Sequence, residues 1–249
     1  SAPDISEIDV IPTGYSTTVL ASDGSEIATL VAEGSNRQYV TLNEIPKDLQ
    51  HAVVAIEDER FYEHNGIDLK GIARALVTDI KAMDFSQGAS TITQQLIKNN
   101  VLTEQWANEN EGKISKLEKM ERQVQRKIQE MYIAVELEKK VDNKEWILEN
   151  YLNTINLGQN TLGVQAASKR YFGKDVSELT LSECATIAAI TQNPGKYNPV
   201  TNPDKNAERR EKVLNDMKEQ GYINQTQYDE ALADPVYERI QATNAQYED

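Results

Sequence analysis

Apolar residues recur at helical spacing along most of this chain from Leu42 onward. Pro46 is placed to open the first core helix and Gly66 to follow its end, because proline suits the first helical turn and glycine the position after the last. The repeat of apolar positions every three or four residues predicts further helices. They cover residues 69–80, 128–135, 146–155, 180–190 (opened by the capping box Thr180-Leu181-Ser182-Glu183) and 202–220 (begun by Asn202-Pro203-Asp204 and ended by Gly221). The pattern predicts a mainly α fold.

The first forty residues have a different pattern. Residues 17–20 and 26–31 flank the turn sequence Ser22-Asp23-Gly24-Ser25, which predicts a hairpin or turn. A short N-terminal β segment is therefore expected.

The stretch from Glu57 to Gly66 combines apolar and ionisable residues. On a continuous helix, Val53, Glu57, Phe61 and His64 share one face, so a carboxylate is set among apolar side chains next to an imidazole. An ionised carboxylate that is buried without a partner is costly, so such a group becomes a usable proton acceptor near neutral pH. The alternative is a helix-end carboxylate that only forms an ion pair.

A second stretch, from Gly88 to Asn99, is rich in neutral polar side chains. Thr91 is a candidate N-cap, and Gln94, Gln95 and Lys98 follow three, four and seven residues later. Hydroxyls, amides and one cation at a helix start suit sugars and phosphates, because the free N–H groups and the helix dipole attract anions. The alternative is a well-capped surface helix.

These two stretches resemble the first two motifs of the family 51 peptidoglycan glycosyltransferases, the transglycosylase domains of class A penicillin-binding proteins. Three further stretches match the family in the same order. They are Arg126-Lys127 with Glu130, the run from Lys144 to Asn153, and Tyr171-Phe172-Gly173-Lys174 followed by Pro194, Tyr197 and Pro199.

The resemblance implies a lysozyme-like helical lobe with a smaller membrane-proximal lobe. It divides the chain into an N-terminal linker or β-hairpin segment (1–41), a glycosyltransferase domain (42–235) and a tail toward a further domain (236–249). It also implies a membrane anchor before this stretch and a transpeptidase domain after it. The expected location is the outer face of the bacterial cytoplasmic membrane, and residues 67–85 are the candidate for membrane contact, with ordinary core as the alternative.

The family polymerises lipid II into β-1,4-linked glycan with release of undecaprenyl diphosphate. The resemblance makes Glu57 the general base and Glu130 a second catalytic carboxylate that orients Arg126, binds a metal or assists the leaving group. The expected substrate- and diphosphate-binding residues are Ser90, Thr91, Gln94, Gln95, Lys98, Arg126 and Lys127. The supporting residues are Asp58, Phe61, His64, Gly88 and Asn99.

Partners and cofactors follow from the same resemblance. Lipid II, the growing lipid-linked glycan, the membrane surface and moenomycin-type inhibitors are the expected partners. No cofactor is required with certainty, and Mg²⁺ or Mn²⁺ at the diphosphate stays open. Two other function classes also stay open: a lysozyme-like peptidoglycan hydrolase, which needs no basic cluster, and a non-catalytic module that binds lipid II or glycan.

Net charge and cysteine content bear on the partners and on the kinds of site that this chain can have. A net charge of −14 and a pI near 4.7 argue against a nucleic-acid partner. Lys98, Arg126 and Lys127 nevertheless lie within the motifs, so a small basic cleft in an acidic shell is expected. The single cysteine, Cys184, lies beside an apolar run and is predicted to be inert core, and the two histidines have no metal-site spacing.

Residues 100–125 depart from the family by their length and polarity. They are predicted to form a solvated loop or frayed helix. A lid that closes over the lipid-linked sugar is one hypothesis, and a tolerated insertion is the other.

Overall fold

The computed structural model describes residues 9–13, 16–20, 26–29, 38–78, 89–102 and 115–247. Contacts divide the chain into two compact units, and each is built from two separate stretches. The first unit comprises Ser1–Ala32 and Arg60–Tyr151, and the second comprises Glu33–Glu59 and Leu152–Asp249. The boundaries expected near residues 41 and 235 stay predictions.

Three short strands of the first unit form an antiparallel sheet in the order β1 (Asp9–Thr13), β2 (Ser16–Leu20) and β3 (Glu26–Thr29). Thr13 lies opposite Ser16, so β1 and β2 turn back directly on each other. The pairing of β2 with β3 is the hairpin that the sequence predicts, with one irregularity in register after Val19.

The helices of the first unit begin where side chains cap them. They are α2 (Leu69–Thr78), α3 (Ile92–Ile97) with a π turn over Lys98–Leu102, α4 (Lys116–Val141), and α5 (Lys144–Thr154), whose last residues belong to the second unit. Ser115 and Glu118 form a capping box that opens α4. Residues 116–125 are therefore the exposed first turns of a regular helix. The middle of the predicted loop, residues 103–114, lies outside the described part of the chain.

Two helices of the first unit carry apolar residues that are not buried. On α2, Leu69 is 69% and Val77 76% exposed, so the core alternative for this helix is wrong for residues 69–78. On α4, the apolar positions that mark the helix in the sequence include Ile128 and Tyr132, and both are exposed. The buried face of α4 is instead formed by Glu130, Ile133, Ala134 and Leu137.

The main secondary elements among the described residues of the second unit are helices. Its helices are α1 (Lys47–Glu57), α6 (Val164–Phe172), α7 (Leu181–Ala188), α8 (Pro203–Glu219), α9 (Gln225–Ala233) and α10 (Val236–Asn244). Helix α1 packs on α7 and α8, and α6 packs on α10. The caps are those that the sequence predicts at Pro46, Thr180 and Asn202, and Gly221 follows the end of α8 with φ of 83°.

Two core features bear on the predictions. Cys184 is fully buried on α7, which confirms its predicted core position, and this burial raises the pKa of its thiol. Asn153 binds the backbone of Val40 at two points, because its Oδ1 accepts from Val40 N at 2.9 Å and its Nδ2 donates to Val40 O at 2.8 Å.

Among the described residues, no helix is long and apolar enough to cross a bilayer. The mainly α class is confirmed.

Candidate active site

Glu57 is the last residue of α1. The prediction that one helix continues to His64 is wrong. The backbone of Asp58 leaves the helix with φ of −162° and ψ of 74°, and the residues after it form turns. Glu57 and Asp58 belong to the second unit, whereas Phe61 and His64 belong to the first. The four positions therefore do not share a helix face.

The carboxylate of Glu57 is held by polar partners within the second unit. Its Oε1 accepts a hydrogen bond from Thr191 Oγ1 at 2.5 Å. A guanidinium nitrogen of Arg209 on α8 lies 3.9 Å from the same oxygen. The Glu57 side chain is 9% exposed. The expectation of an unpartnered carboxylate among apolar residues is thus wrong, because a hydroxyl and a cation lie beside it.

Sequence reasoning missed both partners of Glu57. Thr191 follows α7, and Arg209 lies in a run of charged residues that looks like a solvated helix face. The sequence signal nearest to these partners is Tyr197 of the last family motif. In the structure, its ring lies 5.2 Å from the Arg209 guanidinium. Thr191 and Glu57 are 134 positions apart in the chain, so local periodicity cannot predict their contact.

In the first unit, four predicted residues come together around Lys127 on α4. Lys127 Nζ donates to Ser90 Oγ at 2.5 Å and to Glu130 Oε1 at 2.8 Å. Gln94 Nε2 on α3 reaches the same Glu130 oxygen at 3.4 Å. Glu130 is buried, whereas the Lys127 side chain keeps 23% of its surface exposed. We call Ser90, Gln94, Lys127 and Glu130 the lysine cluster.

The capping of α3 fixes one side of the lysine cluster. Thr91 Oγ1 accepts from Gln94 N and donates to Gly66 O at 2.7 Å, which confirms the predicted N-cap. Thr91 and Gln94 are each only 1% exposed, so the expected polar face does not open to solvent at these two positions. Gln95 is half-buried, and its Oε1 accepts from Tyr151 OH at 2.9 Å.

The other predicted cations lie near these elements. Lys98 and Asn99 are exposed on the π turn, and Arg126 is half-buried one turn before Glu130 on α4. The described contacts of Glu130 are with Lys127 and Gln94, so its pairing with Arg126 stays a prediction. Gly88 lies outside the described residues.

A second buried cluster supports the same helices. Glu138 Oε1 on α4 accepts from Lys144 Nζ at 2.6 Å and from Thr93 Oγ1 on α3 at 2.8 Å. Lys144 Nζ also lies 3.3 Å from His64 Nδ1 and 4.7 Å from the centre of the Phe61 ring. His64 thus lies beside Lys144 and Glu138, and Phe61 beside Lys144, while their supporting role stays a prediction.

Gly66 and Asp68 shape the chain on either side of this turn. Gly66 has φ of 113°, and a Cβ there would lie 2.7 Å from the carbonyl oxygen of Ala134, so only glycine fits. Asp68 forms a two-point ion pair with Arg60, with NH2–Oδ2 at 2.7 Å and Nε–Oδ1 at 2.9 Å. Partial burial alone would raise the pKa of Asp68, but the bonds from Arg60 and from Gly71 N outweigh it and lower the pKa.

The fit of a divalent cation can be judged from the residues present. Within the described residues, no group of three or more His, Cys, Asp or Glu side chains has a metal-binding arrangement. Glu130 offers one carboxylate, and one of its oxygens already accepts from Lys127. Magnesium usually takes one or two carboxylates plus substrate phosphates. The described residues therefore do not form a cation site by themselves, and we derive no step through a cation.

Comparison with known proteins identifies the family. A family model described as Transglycosylase matches residues 23–218. The chain belongs to the transglycosylase family. Its motif residues therefore stand in a domain that this family shares.

Individual relatives of this transglycosylase are penicillin-binding proteins. Penicillin-binding protein 1F of Bacillus subtilis (strain 168) is 44% identical over 208 residues, which cover 84% of this chain and 26% of the relative. Penicillin-binding protein 1A/1B of the same organism is 39% identical over 248 residues, covering 99% of this chain and 25% of the relative. The chain thus spans about a quarter of the length of these relatives. The crystal structure of penicillin-binding protein 1A from Haemophilus influenzae is 23% identical, with a TM-score of 0.46 over 91% of this chain and 21% of that chain.

Proposed function

We propose that this transglycosylase polymerises lipid II into β-1,4-linked glycan strands and releases undecaprenyl diphosphate. The observation that carries the proposal is the setting of Glu57. This carboxylate stands at the end of α1 in the family's first motif, where Thr191 donates to it at 2.5 Å. A base held in a fixed direction is what the activation of a hydroxyl requires.

The proposed reaction divides proton transfer from leaving-group stabilisation. Glu57 takes the proton from the 4-hydroxyl of the acceptor sugar as this oxygen bonds to C1 of the donor sugar. The bond from C1 to the diphosphate oxygen breaks, and the electron pair leaves with the diphosphate. A diphosphate leaves as a stabilised anion, so it needs cations more than a proton donor.

The lysine cluster is suited to hold that anion. Lys127 is fixed by Ser90 and Glu130, and its partly exposed ammonium group is a point charge for phosphate oxygens. Lys98 and Arg126 are the further cations proposed for the diphosphate, and Gln95, which is half-buried, is proposed to position the substrate beside α3. Glu130 acts here by orienting Lys127.

Membrane contact and inhibitor binding belong to the same proposal. The exposed apolar residues of α2, such as Leu69 and Val77, are the proposed contact with the membrane surface. Moenomycin-type phosphoglycolipids are proposed to bind the lysine cluster because they carry a similar anionic group. The proposed location is the outer face of the bacterial cytoplasmic membrane, and a transpeptidase domain is proposed for the full-length protein.

The test compares lipid II polymerisation by the chain with that of Glu57→Gln, with products resolved by length. We expect polymer from the parent and a loss of about a hundredfold or more in the variant, because general base catalysis contributes about that much. Glu59→Gln is the matched control, since Glu59 is an exposed carboxylate two residues further on. Polymer from folded Glu57→Gln at the parent rate would refute the role of Glu57. Soluble muropeptides instead of polymer would refute the proposed reaction.

A further inference from the structure

Glu138 and Lys144 form a largely buried ion pair outside the lysine cluster. Glu138 lies in the last turn of α4, and Lys144 is the first residue of α5. Lys144 Nζ lies 2.6 Å from Glu138 Oε1, and the two side chains are 20% and 9% exposed. Replacing a buried ion pair by well-packed apolar residues is often neutral for stability, because burial removes both charges from water. The net stabilisation by this pair is therefore small, whereas the hydrogen bonds that it directs are specific.

The carboxylate of this ion pair holds α3. Glu138 Oε1 accepts from Thr93 Oγ1 at 2.8 Å, and Thr93 is fully buried on α3. The next residue, Gln94, reaches Glu130 Oε1 at 3.4 Å. Because Glu130 and Glu138 are eight residues apart on α4, these two attachments of α3 are separated by about 12 Å along the helix axis. The bond to the ion-paired Glu138 is the shorter one, so it fixes the position of α3 on α4.

The ammonium group of the ion pair holds the turn that precedes α3 in the structure. Lys144 Nζ lies 3.3 Å from His64 Nδ1. The same Nδ1 accepts from Gly66 N at 3.0 Å, so this ring nitrogen is an acceptor to which an ammonium group can donate. Gly66 O in turn accepts from Thr91 Oγ1 at 2.7 Å, and Thr91 Oγ1 accepts from Gln94 N at 3.1 Å. This second chain of hydrogen bonds also ends at Gln94.

We infer that Glu138 and Lys144 are positioning residues that set the geometry of the lysine cluster. Both chains of hydrogen bonds lead to Gln94, which reaches the carboxylate that holds Lys127. At 3.4 Å this contact of Gln94 is long, so a small displacement of α3 breaks it. Glu130 would then lose a described partner, and Lys127 would lose the direction in which it faces an anion. The inference rests on the proposed function, because the diphosphate is the anion proposed for this cluster.

The first test removes the hydroxyl that links α3 to Glu138. Thr93→Val has nearly the shape of threonine and no donor, whereas Thr93→Ser keeps the hydroxyl. We expect Thr93→Val to lower kcat of lipid II polymerisation about tenfold at an unchanged KM, because the lost interaction with the diphosphate acts in the transition state. Thr93→Ser should retain the kcat of the parent.

The second test replaces the ion pair by apolar residues in the double variant Glu138→Met with Lys144→Met. We expect urea unfolding close to that of the parent and a fall in kcat of about tenfold or more, because small displacements in a site of this kind are costly. The matched control is Glu136→Met with Lys139→Met. This pair lies on the same helix at 3.2 Å, with Lys139 67% exposed, and its removal should leave kcat unchanged.

NMR follows the lysine cluster directly, without substrate. The ¹⁵N signal of the Lys127 ammonium group and the side-chain NH₂ signals of Gln94 report the bonds to Glu130. We expect both to be displaced in Thr93→Val and in the Glu138→Met with Lys144→Met variant, and to keep their parent positions in the control.

The results separate a positioning role from a structural one. Equal kcat for Thr93→Val and Thr93→Ser, or undisplaced signals of Gln94 and Lys127, would overturn the inference. A rate loss that only follows the unfolded fraction in urea would also overturn it, and Thr93→Val decides if the double variant does not fold. Displaced signals in a chain whose parent forms no polymer support the positioning role and count against the proposed reaction alone. Polymer from the parent with undisplaced signals in the variants counts against the positioning role alone.

Discussion

The lysine cluster offers a sharp test that needs no substrate. Lys127→Met removes the cation from a buried carboxylate and keeps a long side chain with good helix propensity. We expect the variant to fold with a lower free energy of unfolding, because the Glu130 carboxylate would remain buried without its cation. The experiment therefore measures how strongly Lys127 and Glu130 depend on each other.

The magnitude follows from the geometry. At 2.8 Å, two unit charges in an effective dielectric of about 20 attract each other by about 6 kcal/mol before desolvation is counted. Removing one partner of a buried pair costs about 3–5 kcal/mol in measured cases. Lys127 keeps 23% of its side-chain surface in solvent, which screens the pair and places the expected loss near the lower end, at about 3 kcal/mol.

The assay is urea unfolding of the parent, Lys127→Met, Glu130→Gln and the double variant. The double variant has no buried charge left unpaired, so its loss should be smaller than the sum of the single losses by about 2 kcal/mol. Lys139→Met is the matched control. Lys139 pairs with Glu136 at 3.2 Å on the same helix but is 67% exposed, so its loss should stay below about 1 kcal/mol.

Two results would refute this reasoning. Lys127→Met could lose no more than Lys139→Met, which would mean that solvent rather than Lys127 satisfies Glu130. Alternatively, the losses of the two single variants could add within about 0.5 kcal/mol, which would show that the residues are independent. In either case Glu130 would not be the residue that orients Lys127.

Two further variants test the remaining contacts. Thr191→Val removes the hydroxyl that donates to Glu57 and should lower the polymerisation rate about tenfold. Thr191→Ser keeps the donor and should retain the rate of the parent. Equal rates for the two variants would contradict a positioning role of Thr191. Asp68→Asn tests a pH dependence. Because the pKa of Asp68 is lowered from 3.8 in the folded chain, its contribution to stability is present above about pH 4 and is lost as the pH falls through the folded value. The difference in unfolding free energy between parent and Asp68→Asn should thus be full at pH 7 and shrink below pH 4, and a gap that grows toward acid pH would contradict the assignment.

The sequence predicted the helices whose ends are set by local chemistry. Helix caps depend on residues within four positions of each other, so they can be predicted from the local sequence. This holds for the caps at Pro46, Thr91, Thr180 and Asn202. The end of α1 was missed because the apolar spacing continues to Phe61 although the backbone turns at Asp58. Periodicity reports which residues are apolar, and it does not report where the helix stops.

Burial and long-range partners could not be predicted in the same way. Ile128 marks α4 as a helix, yet it is 61% exposed, because the face that packs on α3 is set by tertiary contacts. The lysine cluster was predicted as a set through the family motifs, whereas Thr191 and Arg209 were not, since nothing local links them to Glu57. The motifs indicate the candidate groups of the site, whereas the side chains that contact Glu57 are seen only in the folded chain.

The environment of Glu130 also separates the proposed transferase from a hydrolase. A lysozyme-like hydrolase needs one carboxylic acid that gives a proton to the leaving sugar oxygen, and it keeps that acid in apolar surroundings. Glu130 instead accepts from an ammonium group at 2.8 Å, so its surroundings are charged rather than apolar. The same ammonium group suits a diphosphate, which leaves without a proton. Because the carboxylate that a hydrolase would need as its acid is committed to Lys127, the described first unit favours transfer from a diphosphate donor over hydrolysis of a glycan.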